Sequence, residues 1–200
     1  ACCGNGYLSR KMAKTAKKVL GVDLTESLIE SAKQQDNPGN IEFSIGTIEG
    51  LLFAENMFDT VLCNMALMDI ERLEAVIKEL SRVLKTDGIL VASIIHPCFE
   101  NPPNTYSLFD ENNQRIGRVV RQYFKTGLIV DEKQPIENGE PYQHYHYTIS
   151  DYLNAFSKAS LFLEETSEPN GSAIFKQLNR DDGGMNSDTP TFIIFKLRKV

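Results

Sequence analysis

The sequence predicts an α/β protein built on a doubly wound, mostly parallel sheet. Three observations carry that expectation. Short apolar runs alternate with helical stretches through the first half of the 200-residue chain, the pattern of a parallel sheet covered on both faces. A glycine turn, Cys3-Gly4-Asn5-Gly6, stands at its start, like the end of a strand running into a nucleotide-binding loop. An acid, Asp23, closes the next apolar run, Val19-Leu20-Gly21-Val22, about 20 residues on, where such an acid can take two ribose hydroxyls.

The elements follow in order. Residues 8–18 read as a helix with Leu8, Met12, Ala13 and Ala16 inward. Val19–Asp23 reads as a strand, and Thr25 can cap a second helix whose stripe is Leu28, Ile29 and Ala32. Pro38-Gly39 stops that helix, and Ile41–Ile45 alternates as a strand. Thr60–Cys63 is a short apolar run of the kind buried in parallel sheets. Leu73, Val76, Ile77, Leu80, Val83 and Leu84 keep a helical period, and Asp87-Gly88 turns the chain into the strand Ile89–Ile95. Residues 97–147 break the rhythm, with polar, aromatic and proline residues in no sustained period; a connection this long is usually a lid or disordered. A strand pair is expected around Ile116–Tyr123, a helix over about 150–160, and strands at Leu161–Glu165 and Thr191–Leu197.

Composition narrows the function. A net charge of −6 with acids and bases intermixed argues against a nucleic-acid surface. The one basic run, Lys11, Lys14, Lys17 and Lys18, reads as a solvated helix face or a phosphate contact. The four cysteines, Cys2, Cys3, Cys63 and Cys98, form neither a zinc spacing nor a disulfide framework, which suits buried thiols in a reducing cytoplasm. Neither a signal peptide nor a membrane-spanning run is present in the sequence given.

The residues resemble the class I S-adenosylmethionine-dependent methyltransferases of the small-molecule type. Cys3-Gly4-Asn5-Gly6 is similar to that family's glycine loop, Gly21-Val22-Asp23-Leu24-Thr25 to its strand-end acid, and Phe58-Asp59-Thr60-Val61 to the start of its fourth strand. Glu79-Leu80-Ser81-Arg82-Val83-Leu84-Lys85-Thr86-Asp87-Gly88 is similar to the helix and turn before its fifth. The likeness runs over nearly the whole chain. It implies a Rossmann-like sheet with an antiparallel last strand in an edge hairpin, and one domain over 1–200 with 97–147 as an inserted, acceptor-covering lid. The family places its first strand near the sheet centre, so that strand is expected to be truncated or missing in this sequence, with upstream residues completing it.

The resemblance implies S-adenosylmethionine as cofactor and its binding by Cys2, Gly4, Asn5, Gly6, Tyr7, Asp23, Leu24, Thr47, Ile48, Asn64 and Met65. Two departures stand out: Cys2 replaces the loop's first glycine, and Thr47 stands where the family often has an acid facing adenine. Asp23 reads either as the ribose ligand or as a partner for the next helix's N-terminus. Met65, Leu67 and Met68 read either as lining for the cofactor or as core. The Asn/Asp-Pro-Pro-aromatic turn of amino-group methyltransferases is absent after the strand at 60–63, and Asn101-Pro102-Pro103-Asn104 reads as an ordinary turn in the lid.

His96, in His96-Pro97-Cys98-Phe99, is the candidate base, or else a histidine that anchors the lid. Tyr123, His144 and His146 are candidate acceptor contacts; the alternative for His144-Tyr145-His146-Tyr147 is a strand with His on one face and Tyr on the other. No third ligand near His144 and His146 suggests metal, and Asp181-Asp182-Gly183-Gly184 reads as a loop. The expected chemistry is direct displacement of a methyl group onto a small-molecule acceptor, with neither nucleic acid nor membrane as partner. The rivals are an NAD(P)-dependent oxidoreductase, against which Ser9 stands in place of the third glycine, and a non-catalytic nucleotide-binding protein of the same fold.

Overall fold

The computed structural model describes residues 1–135, 139–169 and 189–200. Strands β1 (Val19–Asp23) and β2 (Ile41–Ile45) pair in parallel, flanked by helices α1 (Tyr7–Met12) and α2 (Glu26–Gln34). A second sheet runs in the order β3 (Phe58–Asn64), β4 (Leu84–Ile95), β10 (Phe192–Lys199), β9 (Leu161–Ser167). In it β3 and β4 are parallel, whereas β10 is antiparallel to both its neighbours. The expected antiparallel last strand and edge hairpin are therefore present.

Residues 1–3 stand between the two sheets. The Ala1 amino group donates to Leu62 O at 2.8 Å on one side, and the Cys3 amide donates to Val22 O at 2.9 Å on the other. Below them a trough separates β1 from β3.

The core lies under the four-stranded sheet. Helix α3 (Leu73–Val83) turns Leu73, Val76, Ile77, Leu80 and Val83 inward, all essentially sealed from solvent. Each such side chain stabilises the fold by about 1.5–3 kcal/mol of transfer free energy. Helix α4 (Ile149–Lys158) packs beside it, its Phe156 ring edge-on to Phe195 at 5.4 Å between centroids. The Ser81 hydroxyl joins the two helices by donating to Ala159 O at 2.7 Å. A reciprocal cap fixes the start of α4: the Asp151 amide donates to Thr148 Oγ1, and Asp151 Oδ2 accepts from the Thr148 amide.

Two expectations need correction. The helix expected over 8–18 ends at Met12, because the Asn40 side chain donates to Ala13 O and Ala16 O, capping carbonyls that a longer helix would use internally. Within 97–147, the pair expected around Ile116–Tyr123 is one of two hairpins. Strand β6 (Arg115–Val120) pairs with β5 (Thr105–Phe109), and β7 (Gly127–Pro135) pairs with β8 (Pro141–His146). Tyr123 sits in the turn between the hairpins. The loop expected at Asp181–Gly184 lies outside the described residues.

Candidate functional site

The site begins with backbone geometry. Gly4 has φ +52° and Gly6 φ +78°, conformations that suit glycine. They differ in what lies beyond. A side chain at Gly4 would meet nothing within 4 Å, so this glycine opens onto empty space. A Cβ at Gly6 would fall 2.5 Å from the Phe43 ring, and a Cβ at Gly21 would meet the same ring. The second glycine of the loop is thus demanded by packing against β2.

Asp23 ties the loop to the tip of β1. Its Oδ2 accepts from the Gly4 amide at 2.8 Å and its Oδ1 accepts from the Thr25 amide at 3.0 Å. The side chain is 9% exposed, at the floor of an open cleft of about 1580 Å³ that continues into the trough between β1 and β3. A carboxylate has about four lone-pair sites, so two remain for a ligand.

The cleft brings together most of the residues the sequence singled out: Cys2, Gly4, Asn5, Tyr7, Asp23, Leu24, Thr47, Ile48, Asn64 and Met65 all line it. Gly6 is buried beneath Phe43 instead. Thr47 Oγ1 accepts from the Glu49 amide at 3.2 Å, which leaves its O–H to donate into the cleft. Asn64 Oδ1 accepts from Ser93 Oγ at 2.7 Å, fixing the side chain at the tip of β3. Met65 follows with φ +53°, an unusual conformation for a non-glycine residue. Its amide donates to Ser93 O at 2.9 Å, which holds the bend.

The thiols at the cleft floor are unequal. Burial pushes Cys3 up to about 11. A hydrogen bond from Cys63 draws Cys2 below the usual thiol range and drives Cys63 above it.

Four of the sequence candidates lie away from the cleft. His96 is buried, with both ring nitrogens engaged: the Cys98 amide donates to Nδ1 at 3.2 Å, so Nε2 carries the proton and donates to Glu168 Oε1 at 2.7 Å. That is an anchor at the start of the 97–147 segment. His144 Nε2 donates to Asn101 Oδ1 at 3.0 Å, and His146 Nε2 donates to Tyr123 O at 2.7 Å. Burial lowers the pKa of both histidines. The Tyr123 hydroxyl accepts from the Ile149 amide at 3.0 Å.

Strand alternation explains the displacement. On β8, His144 and His146 point to the buried side, and Tyr145, between them, lines the cleft. Tyr145 and Asp69 are two cleft residues outside the candidates that the sequence offered. The period-2 pattern of His144-Tyr145-His146 was the available signal for the first.

Comparison with known proteins bears on the site as built. A family model described as a methyltransferase domain matches residues 1–92, which contain the glycine loop, Asp23, Thr47, Asn64 and Met65. The chain is 29% identical over 169 residues to a malonyl-[acyl-carrier protein] O-methyltransferase of Bacillus cereus, covering 80% of this chain and 60% of that protein. It is 27% identical over 185 residues to a demethylmenaquinone methyltransferase of Lactococcus lactis, covering 86% and 68%. In fold it is similar to an S-adenosylmethionine-dependent methyltransferase from Mesorhizobium loti, with a TM-score of 0.83 and 22% identity over 98% of this chain and 88% of that one. A methyltransferase-domain model thus matches residues 1–92, and the chain as a whole has the fold of S-adenosylmethionine-dependent methyltransferases of solved structure.

Proposed function

We propose that the cleft binds S-adenosylmethionine and that the protein transfers a methyl group from it to a small-molecule acceptor by direct displacement. The observation that carries this reading is the position of Asp23, doubly anchored by backbone amides at the floor of the cleft with acceptor capacity left over. The residues fit the cofactor: Gly4 opens onto space that a side chain would fill. Asp23 offers charge-assisted hydrogen bonds to a ribose. Thr47 and Ile48 flank the adenine position, one with a hydroxyl and one with an apolar face.

When bound, the cofactor supplies a methyl group already activated by a sulfonium. The chain's own work is then binding, alignment and exclusion of water. Asp23 and the Gly4 loop hold the sugar. Asn64 and the bend at Met65 define the far wall. The second hairpin, which sends Tyr145 into the cleft, covers the acceptor.

The relatives named as a malonyl-[acyl-carrier protein] O-methyltransferase and a demethylmenaquinone methyltransferase support an acceptor of small-molecule type. Calorimetric titration with S-adenosylhomocysteine and with NAD tests the reading. Saturable binding of the first alone is expected; binding of NAD alone would overturn it.

A further inference from the structure

We propose that Asp69 receives the acceptor's proton, and that this end of the cleft takes an uncharged ring O–H group rather than a carboxylate. This rests on the reading that the cleft holds the methyl donor, with its ribose at Asp23.

The donor's reactive end is located by the order of the strand tips. Residues 1–3 bridge β1 and β3. A nucleoside held at Asp23 therefore extends across Cys2 and Gly4 toward Asn64. The chain after Asn64 forms a single turn, Leu67–Asp69, whose Leu67 and Met68 are buried in the core. Those two anchors leave Asp69 facing the cleft. The turn is held from both sides: the Asp69 amide donates to Ala66 O at 2.9 Å, and the Tyr147 hydroxyl donates to Ile70 O and Glu71 O at 2.9 and 2.6 Å. Tyr147 directly follows β8, so the same tether brings Tyr145 to the cleft that Asp69 lines.

Among the described residues, the Asp69 carboxylate has no hydrogen-bond or ion-pair partner. Asp69 is solvent-exposed at the cleft rim, where partial desolvation raises its proton affinity, and its charge is felt by Cys2, Cys63, Tyr142 and Tyr152 around it. With Glu71 it is one of two cleft carboxylates that follow the β3 tip, and the one nearer Asn64, whereas Asp23 is already committed to backbone amides.

Charge selects the acceptor. The described lysines lining the cleft, Lys17 and Lys18, lie at its opposite end, beneath β1. An anionic acceptor would meet Asp69 without a side-chain counter-charge beside it, at an electrostatic cost. A neutral O–H donates to Asp69 instead, and Tyr145 and Met65, which also line the cleft, offer apolar surface to its ring.

The step balances. The O–H electron pair stays on the acceptor oxygen, which forms the bond to the methyl carbon. The pair of the breaking carbon–sulfur bond stays on the donor's sulfur, and the proton converts the Asp69 carboxylate to a carboxylic acid.

The test uses the full chain and two probes that share a 4-methylphenyl ring, 4-methylphenol and 4-methylbenzoate. Each is titrated by ligand-observed NMR into protein saturated with S-adenosylhomocysteine. 4-Methylphenol is expected to bind more tightly than 4-methylbenzoate, and Asp69→Asn to weaken it by about tenfold or more, with calorimetric affinity for S-adenosylhomocysteine unchanged. Preference for the benzoate, absence of phenol binding, or equal phenol binding by Asp69→Asn would overturn the proposal and leave the cofactor reading standing. Failure of the wild-type protein to bind S-adenosylhomocysteine would sink the cofactor reading, and this proposal with it. Tyr145→Leu serves as a second variant, expected to weaken the phenol but to leave S-adenosylhomocysteine binding intact.

Discussion

The amide of Gly4 donates to Asp23 Oδ2 at 2.8 Å. That single bond couples the glycine loop to the tip of β1, two segments 19 residues apart. With Thr25 on the other oxygen, the carboxylate cannot rotate, so its remaining lone pairs have a fixed direction into the cleft. The sequence left two readings of Asp23 open, ribose ligand or helix-start partner. The geometry makes them compatible: the bonds to the backbone pre-orient the group for a ligand.

Replacing Asp23 by Ala should therefore weaken S-adenosylhomocysteine binding by tenfold or more, about 1.4 kcal/mol. Calorimetry reads the affinity, and urea unfolding of the same variant separates lost ligand contact from a loosened loop. Unchanged affinity would remove Asp23 from the binding site.

Gly6 makes a different prediction from Gly4. Gly6→Ala must place a methyl against Phe43 and hold a left-handed conformation, which together should cost about 2–4 kcal/mol of stability in urea unfolding. Adding Phe43→Leu should recover the packing part alone. At Gly4, alanine meets no atom, so its effect should fall on cofactor affinity and far less on packing.

The histidines of β8 set a pH dependence. Burial lowers the proton affinity of His144 and His146 in the fold. The unfolded chain, with histidines near their ordinary pKa of about 6.5, then binds more protons as the pH falls. Their contribution is present above about pH 6.5 and is lost as pH drops from there through their folded values. Melting at pH 7.5 and 5.5 should show the lower value in acid, and His144→Gln with His146→Gln should flatten the difference. An unaltered pH response in that double variant would contradict the assignment.

His96 should behave as a structural residue. His96→Ala leaves the Glu168 carboxylate and the Cys98 amide without their partner, at about 1–3 kcal/mol in chemical unfolding. Affinity for S-adenosylhomocysteine should be unaffected. A tenfold loss of that affinity, with stability intact, would return His96 to the site.

Much of the fold was legible because its signals are local. The helical period of Leu73–Val83 and the apolar run at Ile89–Ile95 sit where each predicts an element, and the structure has α3 and β4 there. The end of α1 was not legible, since it depends on Asn40, distant in sequence, reaching two carbonyls. Within 97–147 a strand pair was legible around Ile116–Tyr123, but the second hairpin escaped for a related reason: its strands pair with each other outside the main sheets, so neither face carries a clean apolar alternation. The glycine loop and Asp23 were readable as spacing. Tyr145 was legible only as the face opposite the two histidines, and Asp69 was not legible, because its role depends on which side chain a turn leaves pointing into the cleft.

The most direct test of the central claim is a crystal structure of the protein with S-adenosylhomocysteine. The account expects both ribose hydroxyls within hydrogen-bond distance of the Asp23 carboxylate, Gly4 against the ligand and the sulfur directed toward Asn64 and Asp69. A ligand seated elsewhere, or a ribose held by other residues with Asp23 turned solely to the backbone, would contradict it.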